Sequence, residues 1–132
     1  MSAVILNTEN FPIVTVSTTF ENLTEEQVDE YLSTMLEFYK NQESKNIVVI
    51  YEISIVKAVV SKSRIKIGEW LKTNSQTIKN AVLGVCYVQK NAFQKLILQG
   101  IFSIKTPEWP HKVVTSLEEG IIWGNELIKS VH

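Results

Sequence analysis

The fold of this 132-residue chain is decided by one apolar run, Ile47-Val48-Val49-Ile50-Tyr51-Glu52-Ile53. Apolar residues occupy nearly every position of the run, a pattern typical of a strand that is covered on both faces. Such strands lie inside parallel sheets packed between helices. We therefore predict a central, parallel strand at residues 47–53, with helices on the sheet around it.

Downstream of this strand, helical and strand patterns alternate to the end of the chain. The predicted elements are a helix at about residues 61–79, a strand at 81–88, a helix from Asn91 to about Ile104, a strand at 112–115 and a terminal helix. Asn91 is the expected N-cap of its helix. Ser116 and Glu119 have the spacing of a capping box and predict the start of the terminal helix.

Upstream, two strands and one helix are predicted. Residues 4–6 and 11–19 have strand composition and are expected to form a hairpin. Thr24 and Gln27 form a capping box, from which a helix is predicted to run to about Lys40. Apolar residues at spacings of three and four, including two tyrosines, give this helix one core-facing stripe.

The resulting element order is β-β-α-β-α-β-α-β-α. With right-handed crossovers between parallel strands, this order predicts an α/β domain with a mixed sheet of about five strands and four helices. No internal repeat or second domain is apparent, so residues 1–132 are interpreted as a single domain.

The composition of the chain excludes some classes of function. The formal net charge is −1, so no overall positive field attracts nucleic acid. No apolar run approaches the roughly 18 residues of a membrane span, and no signal peptide is recognisable, which excludes integral membrane insertion and predicts a cytoplasmic protein. The single cysteine, Cys86, fits a reducing compartment. Its place in a buried-strand pattern predicts a structural thiol.

Motifs for catalysis are missing from the sequence. His111 and His132 are the only histidines, and neither has the spacing of a metal site or of a catalytic triad. Glu52 lies near the end of the central strand but has no second carboxylate near it in sequence. No glycine-rich phosphate or dinucleotide motif is present. The sequence therefore predicts a protein without a cofactor or a metal that is not an enzyme.

Several stretches resemble one known family. They are the Phe11-Pro12 strand entry, residues 49–54 followed by a turn into a helix, Trp70-Leu71 with Asn74, and residues 120–123. Together with the element order they resemble the STAS domain family, the anti-sigma-factor-antagonist fold, in its divergent bacterial SpoIIAA-like branch. The resemblance spans nearly the whole chain. It implies a non-catalytic regulatory module that acts through protein–protein contacts.

The resemblance also implies a switch site at the start of the second helix. In phosphorylatable STAS proteins an Asp-Ser pair lies there, and in this chain the pair falls at Val60-Ser61, so the serine is present and the aspartate is not. Ser61, Lys62, Ser63 and Arg64 are accordingly the candidate switch or anion-binding residues. The alternative is a serine that caps the helix beside two solvated cations.

The third helix is unusually apolar. Leu98, Ile101 and Phe102, with Trp109 in the following loop, are candidates for a contact surface with a regulatory partner or a second copy of the chain. The same residues are candidates for a groove that binds a lipid or small apolar ligand, because STAS-like folds resemble the lipid-exchange Sec14 core. A helix that is simply wedged deep in the fold is the third interpretation.

Overall fold

The computed structural model describes residues 3–131, and runs rich in β-branched residues form its longer strands. The strands are β1 (Ile5–Asn7), β2 (Ile13–Ser17), β3 (Asn22–Leu23), β4 (Ile47–Glu52), β5 (Ala58–Val59), β6 (Val82–Val88) and β7 (His111–Val114). The helices are α1 (Glu25–Lys40), α2 (Ser61–Ala81), α3 (Ala92–Ile104) and α4 (Leu117–Val131). Within the described residues the chain is thus α/β, with four helices, one five-stranded sheet and one two-stranded sheet.

The main sheet has the strand order β1-β2-β4-β6-β7. The pair β1–β2 is antiparallel, whereas the pairs β2–β4, β4–β6 and β6–β7 are parallel, so the sheet is mixed. The prediction of a central, parallel strand is confirmed for β4. The short strands β3 and β5, which pair in parallel as a separate sheet, were not predicted.

Alternate residues of β4 belong to two apolar cores, as the period of two in a strand requires. Ile47 and Val49 lie in a core shared with α1, α2 and α3. Val48 and Ile50 lie in a smaller core on the other face, which is covered by α4. The helices α1, α2 and α3 therefore form one layer over the sheet, and α4 forms the other.

Two helix starts were predicted from capping boxes, and one of the two capping boxes is complete. The Thr24 hydroxyl accepts a hydrogen bond from the backbone N–H of Gln27 at 3.1 Å, and the Gln27 side chain accepts one from the Thr24 N–H at 2.9 Å. At α4 the Ser116 hydroxyl accepts from the Glu119 N–H at 3.2 Å. The Glu119 carboxylate, however, accepts from the Thr115 hydroxyl at 2.7 Å, so only the serine half of that prediction is confirmed.

A close approach between α2 and α3 depends on Gly68. A Cβ atom at this position would lie 2.6 Å from Cδ1 and 2.8 Å from Cβ of Ile104. No real side chain tolerates such distances without a shift of its neighbours, so glycine sets the separation of these two helices. None of the helices in residues 3–131 has the length and apolar character needed to cross a membrane.

Candidate functional site

A cavity of about 120 Å³ lies between the helical layer and the sheet. Its lining comes from α1, α2, α3, the central strands and the loop after α3. Apart from Met35, every lining residue is aliphatic or aromatic, and none carries a charged side chain. The cavity therefore offers a ligand apolar contact and no counter-ion.

All four tyrosines of the chain line this cavity. Tyr51 and Tyr87 are direct partners in the β4–β6 register, and their rings stack with centroids 5.6 Å apart and planes 8° apart. Tyr31 on α1 stacks on Tyr51 at 6.5 Å. The hydroxyls of Tyr39 and Tyr51 are 2.6 Å apart and share a hydrogen bond. Helix and strand thus meet across the cavity through aromatic rings.

Burial raises the pKa of each of these tyrosines, so all four phenols are neutral across the physiological range. For Tyr31 the nearby charge of Glu52 adds to the effect of burial. For Tyr87 the Trp109 indole acts in the opposite direction. The environment of the cavity consequently disfavours negative charge.

Two polar atoms of the lining residues are shielded from solvent without a hydrogen-bond partner in the part of the chain that the structure describes. They are the hydroxyl of Tyr31 and the indole nitrogen of Trp109. The indole lies near enough to the Tyr87 hydroxyl to lower its pKa, yet the pair falls short of hydrogen-bond geometry. Since buried polar groups in proteins are almost always paired, these two atoms require an explanation.

The residues predicted as an interface or ligand groove come together here. Leu98, Ile101, Phe102 and Trp109 all line the cavity. Leu98, Ile101 and Trp109 are buried, whereas Phe102 is half-buried with its ring edge-on to Tyr87. In this arrangement these side chains form an internal wall and offer little surface to a partner protein.

Gln94 is a structural residue that the sequence did not reveal. Its side chain is 0% exposed, its amide donates to the Ile53 carbonyl at 3.1 Å, and its carbonyl accepts from the Lys90 N–H at 2.7 Å. The Asn91 cap predicted for α3 is confirmed, because its side chain accepts from the Gln94 N–H at 2.9 Å. Gln94 thereby ties the start of α3 to the end of β4.

The start of α2 differs from the predicted serine cap. Val60 is the N-cap residue and makes no side-chain capping bond, while Ser61 is the first residue of the helix. Ser61 is exposed, and its hydroxyl accepts from Nη2 of Arg64 at 2.8 Å. Ser63 is 0% exposed and its hydroxyl has no partner within residues 3–131. Only Ser61 of the two serines is therefore accessible.

The cations of α2 are engaged with carboxylates of α1. Glu25 lies 3.5 Å from Lys62 and 3.3 Å from Lys66, and Asp29 lies 2.7 Å from Lys66. The hydrogen bond to Asp29 raises the pKa of Lys66. Much of the positive charge at this end of α2 is thus already balanced within the protein.

Other residues noted in the sequence lie apart from the cavity lining. Burial raises the pKa of the Cys86 thiol to about 11, so the thiolate is scarce at neutral pH and the predicted structural role fits. Glu52 accepts a hydrogen bond from the Ser54 N–H at 3.0 Å. His111 Nδ1 lies 3.3 Å from the Trp109 carbonyl oxygen, and His132 falls outside the described residues. Across residues 3–131 no group of three His, Cys, Asp or Glu side chains is placed to hold a metal ion.

No family model, curated protein or solved structure matches this chain.

Proposed function

We propose that the chain is a non-catalytic binding module whose cavity holds a compact, uncharged and mainly apolar small molecule. The observation that carries this proposal is the cavity of about 120 Å³ with its entirely uncharged lining. An engineered apolar cavity of roughly 150 Å³ in another protein stays free of water and binds benzene. A cavity of this size and chemistry is therefore suited to a molecule built on a single ring.

An empty cavity lowers the stability of the fold. Protein interiors are close-packed, and residual cavity volume costs about 24 cal/mol per Å³, which for this cavity amounts to about 3 kcal/mol. A ligand that fills the space restores the missing van der Waals contacts and removes apolar surface from water. Binding therefore has a driving force that needs no charged or covalent contact.

A titration with benzene tests the proposal. Carbon-13-labelled methyl groups of Leu98 and Ile101 should shift in a saturable manner, because both side chains line the cavity. Leu98→Phe should abolish the shifts by filling the space with the larger ring. Leu96→Phe is the matched control: Leu96 lies on the same helix, is 60% exposed and is not part of the lining. This variant should bind benzene as the wild type does.

Two results would contradict the proposal. One is the absence of saturable shifts in the wild-type protein. The other is equal binding by wild type and Leu98→Phe, with cooperative thermal unfolding showing that the variant is folded. If Leu98→Phe fails to fold, Ile101→Phe replaces it, since Ile101 also lines the cavity.

A second candidate function follows the STAS resemblance, namely a regulatory interaction module with an anion or phosphoserine site at the start of α2. Its support comes from two side chains in the first turn of α2. Ser61 is exposed beside the Arg64 guanidinium, and Nε of Arg64 still lacks an acceptor among the described residues. A phosphate on Ser61 would add acceptors for that guanidinium at the positive end of the helix dipole.

This second proposal is tested with inorganic phosphate. Backbone resonances of residues 61–64 should shift at millimolar phosphate, and Arg64→Gln should remove the effect. Lys79→Gln, at the other end of α2, serves as the control and should leave the response intact. If residues 61–64 do not respond to phosphate in the wild-type protein, the anion site is refuted.

A further inference from the structure

The short strands β3 and β5 lie between the cavity and solvent. Every residue that lines the cavity is buried or half-buried, so a molecule with a ring reaches the space only if part of the wall moves. We infer that the wall opens between β3 and β5, which separate to admit the ligand and pair again after it has entered. This inference rests on the binding function proposed above and adds the route of entry.

The two strands form a cover one layer thick over the cavity. Leu23 of β3 and Val59 of β5 are register partners, and both line the cavity. The preceding residues, Asn22 and Ala58, are also register partners, and both are exposed. Because successive side chains of a strand point to opposite faces, one face of this pair meets the cavity and the other meets solvent. Separation of the strands would therefore connect the cavity with solvent directly.

Few contacts hold β3 to β5. Each strand has two residues, and within residues 3–131 the strands pair with each other and with no strand of the main sheet. The backbone N–H groups of Lys57 and Ala58 both donate to the Glu21 carbonyl, at 2.6 and 3.2 Å. The ion pair between Lys57 and Glu21 is solvent-exposed, and such pairs contribute little. Since an isolated pair of short strands is at best marginally stable in water, this pair is able to open while the core stays folded.

Other parts of the cavity wall are held by contacts with the core. Gly68 brings α2 against Ile104 of α3, α1 packs along α2, and Gln94 ties α3 to β4. The loop after α3 is fixed to β6, because the Pro110 carbonyl accepts from the Val85 N–H at 2.9 Å. The sheet is backed by α4. Entry at any of these places would separate elements that pack in the core, whereas entry between β3 and β5 requires the loss of one short ladder.

A reversible crosslink between the two strands tests the route. In Asn22→Cys/Ala58→Cys the two thiols are cross-strand neighbours on the exposed face, so oxidation should join β3 to β5 and reduction should release them. The rates of benzene binding and release are measured by NMR exchange at the methyl groups of Leu98 and Ile101, which line the cavity. Oxidation should slow both rates by at least about tenfold and should leave the dissociation constant nearly unchanged, because the contacts inside the cavity stay the same.

Two controls accompany the crosslink. The reduced form of the same variant should exchange benzene as the wild type does. Asn7→Cys/Thr15→Cys joins β1 to β2 outside the cavity lining and should exchange benzene at equal rates when oxidised and when reduced. Cys86 is buried and takes no part in these reactions. If the disulfide between β3 and β5 does not form, a reagent that bridges two thiols through one carbon atom replaces it.

A variant that loosens the pair gives the opposite result. Ala58→Gly keeps the backbone N–H and gives the strand more conformational freedom, so it should speed benzene exchange by about two- to fivefold. If oxidation of the crosslinked variant removes binding altogether, this variant decides the question. Unchanged exchange rates in Ala58→Gly would then overturn the route.

The outcomes separate this inference from the proposed function. Equal exchange rates in the oxidised and reduced variant would overturn the route between β3 and β5 while the cavity remains a binding site. Equal slowing by the crosslink between β1 and β2 would assign the effect to general stiffening and would overturn the route as well. If benzene does not bind to the wild type, the inference fails together with the proposed function.

Discussion

The hydrogen bond between Tyr39 and Tyr51 leads to a prediction about the stability of the cavity wall. Tyr39→Phe removes one hydroxyl and keeps the ring, so the aromatic contacts remain. The Tyr51 hydroxyl, 2.6 Å from its partner in the native protein, is then buried without a partner. Tyr51→Phe has the reverse effect and leaves the Tyr39 hydroxyl unpaired, at a residue that is only 2% exposed.

The expected loss in the free energy of unfolding follows from the cost of burying a hydroxyl without a hydrogen-bond partner. Each single substitution should lower the free energy of unfolding by about 2 kcal/mol, within the usual range of about 1–3 kcal/mol. Removing both hydroxyls leaves no unpaired group, so the double variant should lose only about 1 kcal/mol. Additive effects would total about 4 kcal/mol, and the expected coupling is therefore about 3 kcal/mol.

Urea unfolding of the wild type, both single variants and the double variant, followed by far-ultraviolet circular dichroism, measures this cycle. Tyr31→Phe is the matched control: its hydroxyl has no partner in the described structure, so its removal should not destabilise the protein. If both single variants are as stable as the wild type, the two hydroxyls reach water and the wall is not closed. If the double variant shows the sum of the single effects, the hydroxyls are not paired with each other.

Further predictions concern packing, anchoring and ionisation. In urea unfolding, Gly68→Ala should lower the free energy of unfolding by about 1–3 kcal/mol, because its Cβ would overlap Ile104. Gly100→Ala should raise it by about 0.5–1 kcal/mol, because a Cβ at this helical position would meet no atom within 4 Å. Gln94→Leu should cost about 1–3 kcal/mol in the same assay, since it removes two hydrogen bonds to backbone groups, each worth about 0.5–1.5 kcal/mol. Burial raises the pKa of the tyrosines and of Cys86, so at high pH the unfolded chain loses these protons before the folded chain does. The free energy of unfolding should therefore be unaffected at pH values below the pKa values of the unfolded chain. It should fall as the pH rises above about 9 for the thiol and about 10 for the phenols. Phenolate absorbance should consequently appear only together with unfolding, and a gradual rise near pH 10 in folded protein, as in free tyrosine, would contradict the burial of the phenols.

Elements that depend on local sequence were predicted well. The run from Ile47 is apolar at nearly every position because β4 is covered on both faces, so its central place could be inferred without tertiary information. The Thr24 capping box is likewise a contact between residues three apart. By contrast, β3 and β5 contain two residues each, which is too short for any periodicity to be detected.

The candidate site was predicted only in part, because its geometry depends on contacts that are distant in sequence. The apolar stripe of α1 included Tyr31 and Tyr39, but nothing in the stripe indicates that Tyr51 and Tyr87 face the same cavity. Gln94 carries no signal at all, since glutamine is normally exposed.

The charges of α2 illustrate the same limit. Solvated cations beside a capping serine were one alternative for its start, whereas Lys62 and Lys66 lie against Glu25 and Asp29, which precede them by more than 30 residues. A single sequence shows no relation between charges so far apart. The residues expected to attract an anion are thus partly neutralised by a neighbouring helix.

Specific contacts fix the positions of the elements around the cavity. Glycine at position 68 sets the distance between α2 and α3, and Gln94 fixes the start of α3 to the end of β4. The Tyr39–Tyr51 hydroxyl pair connects α1 to the same strand through two full-length side chains. These three contacts together involve all three helices of the layer, so a movement of any of them into the space would disturb at least one contact. A cavity kept open in this way is preformed, and a preformed apolar cavity with few polar groups is what small-molecule sites in proteins share.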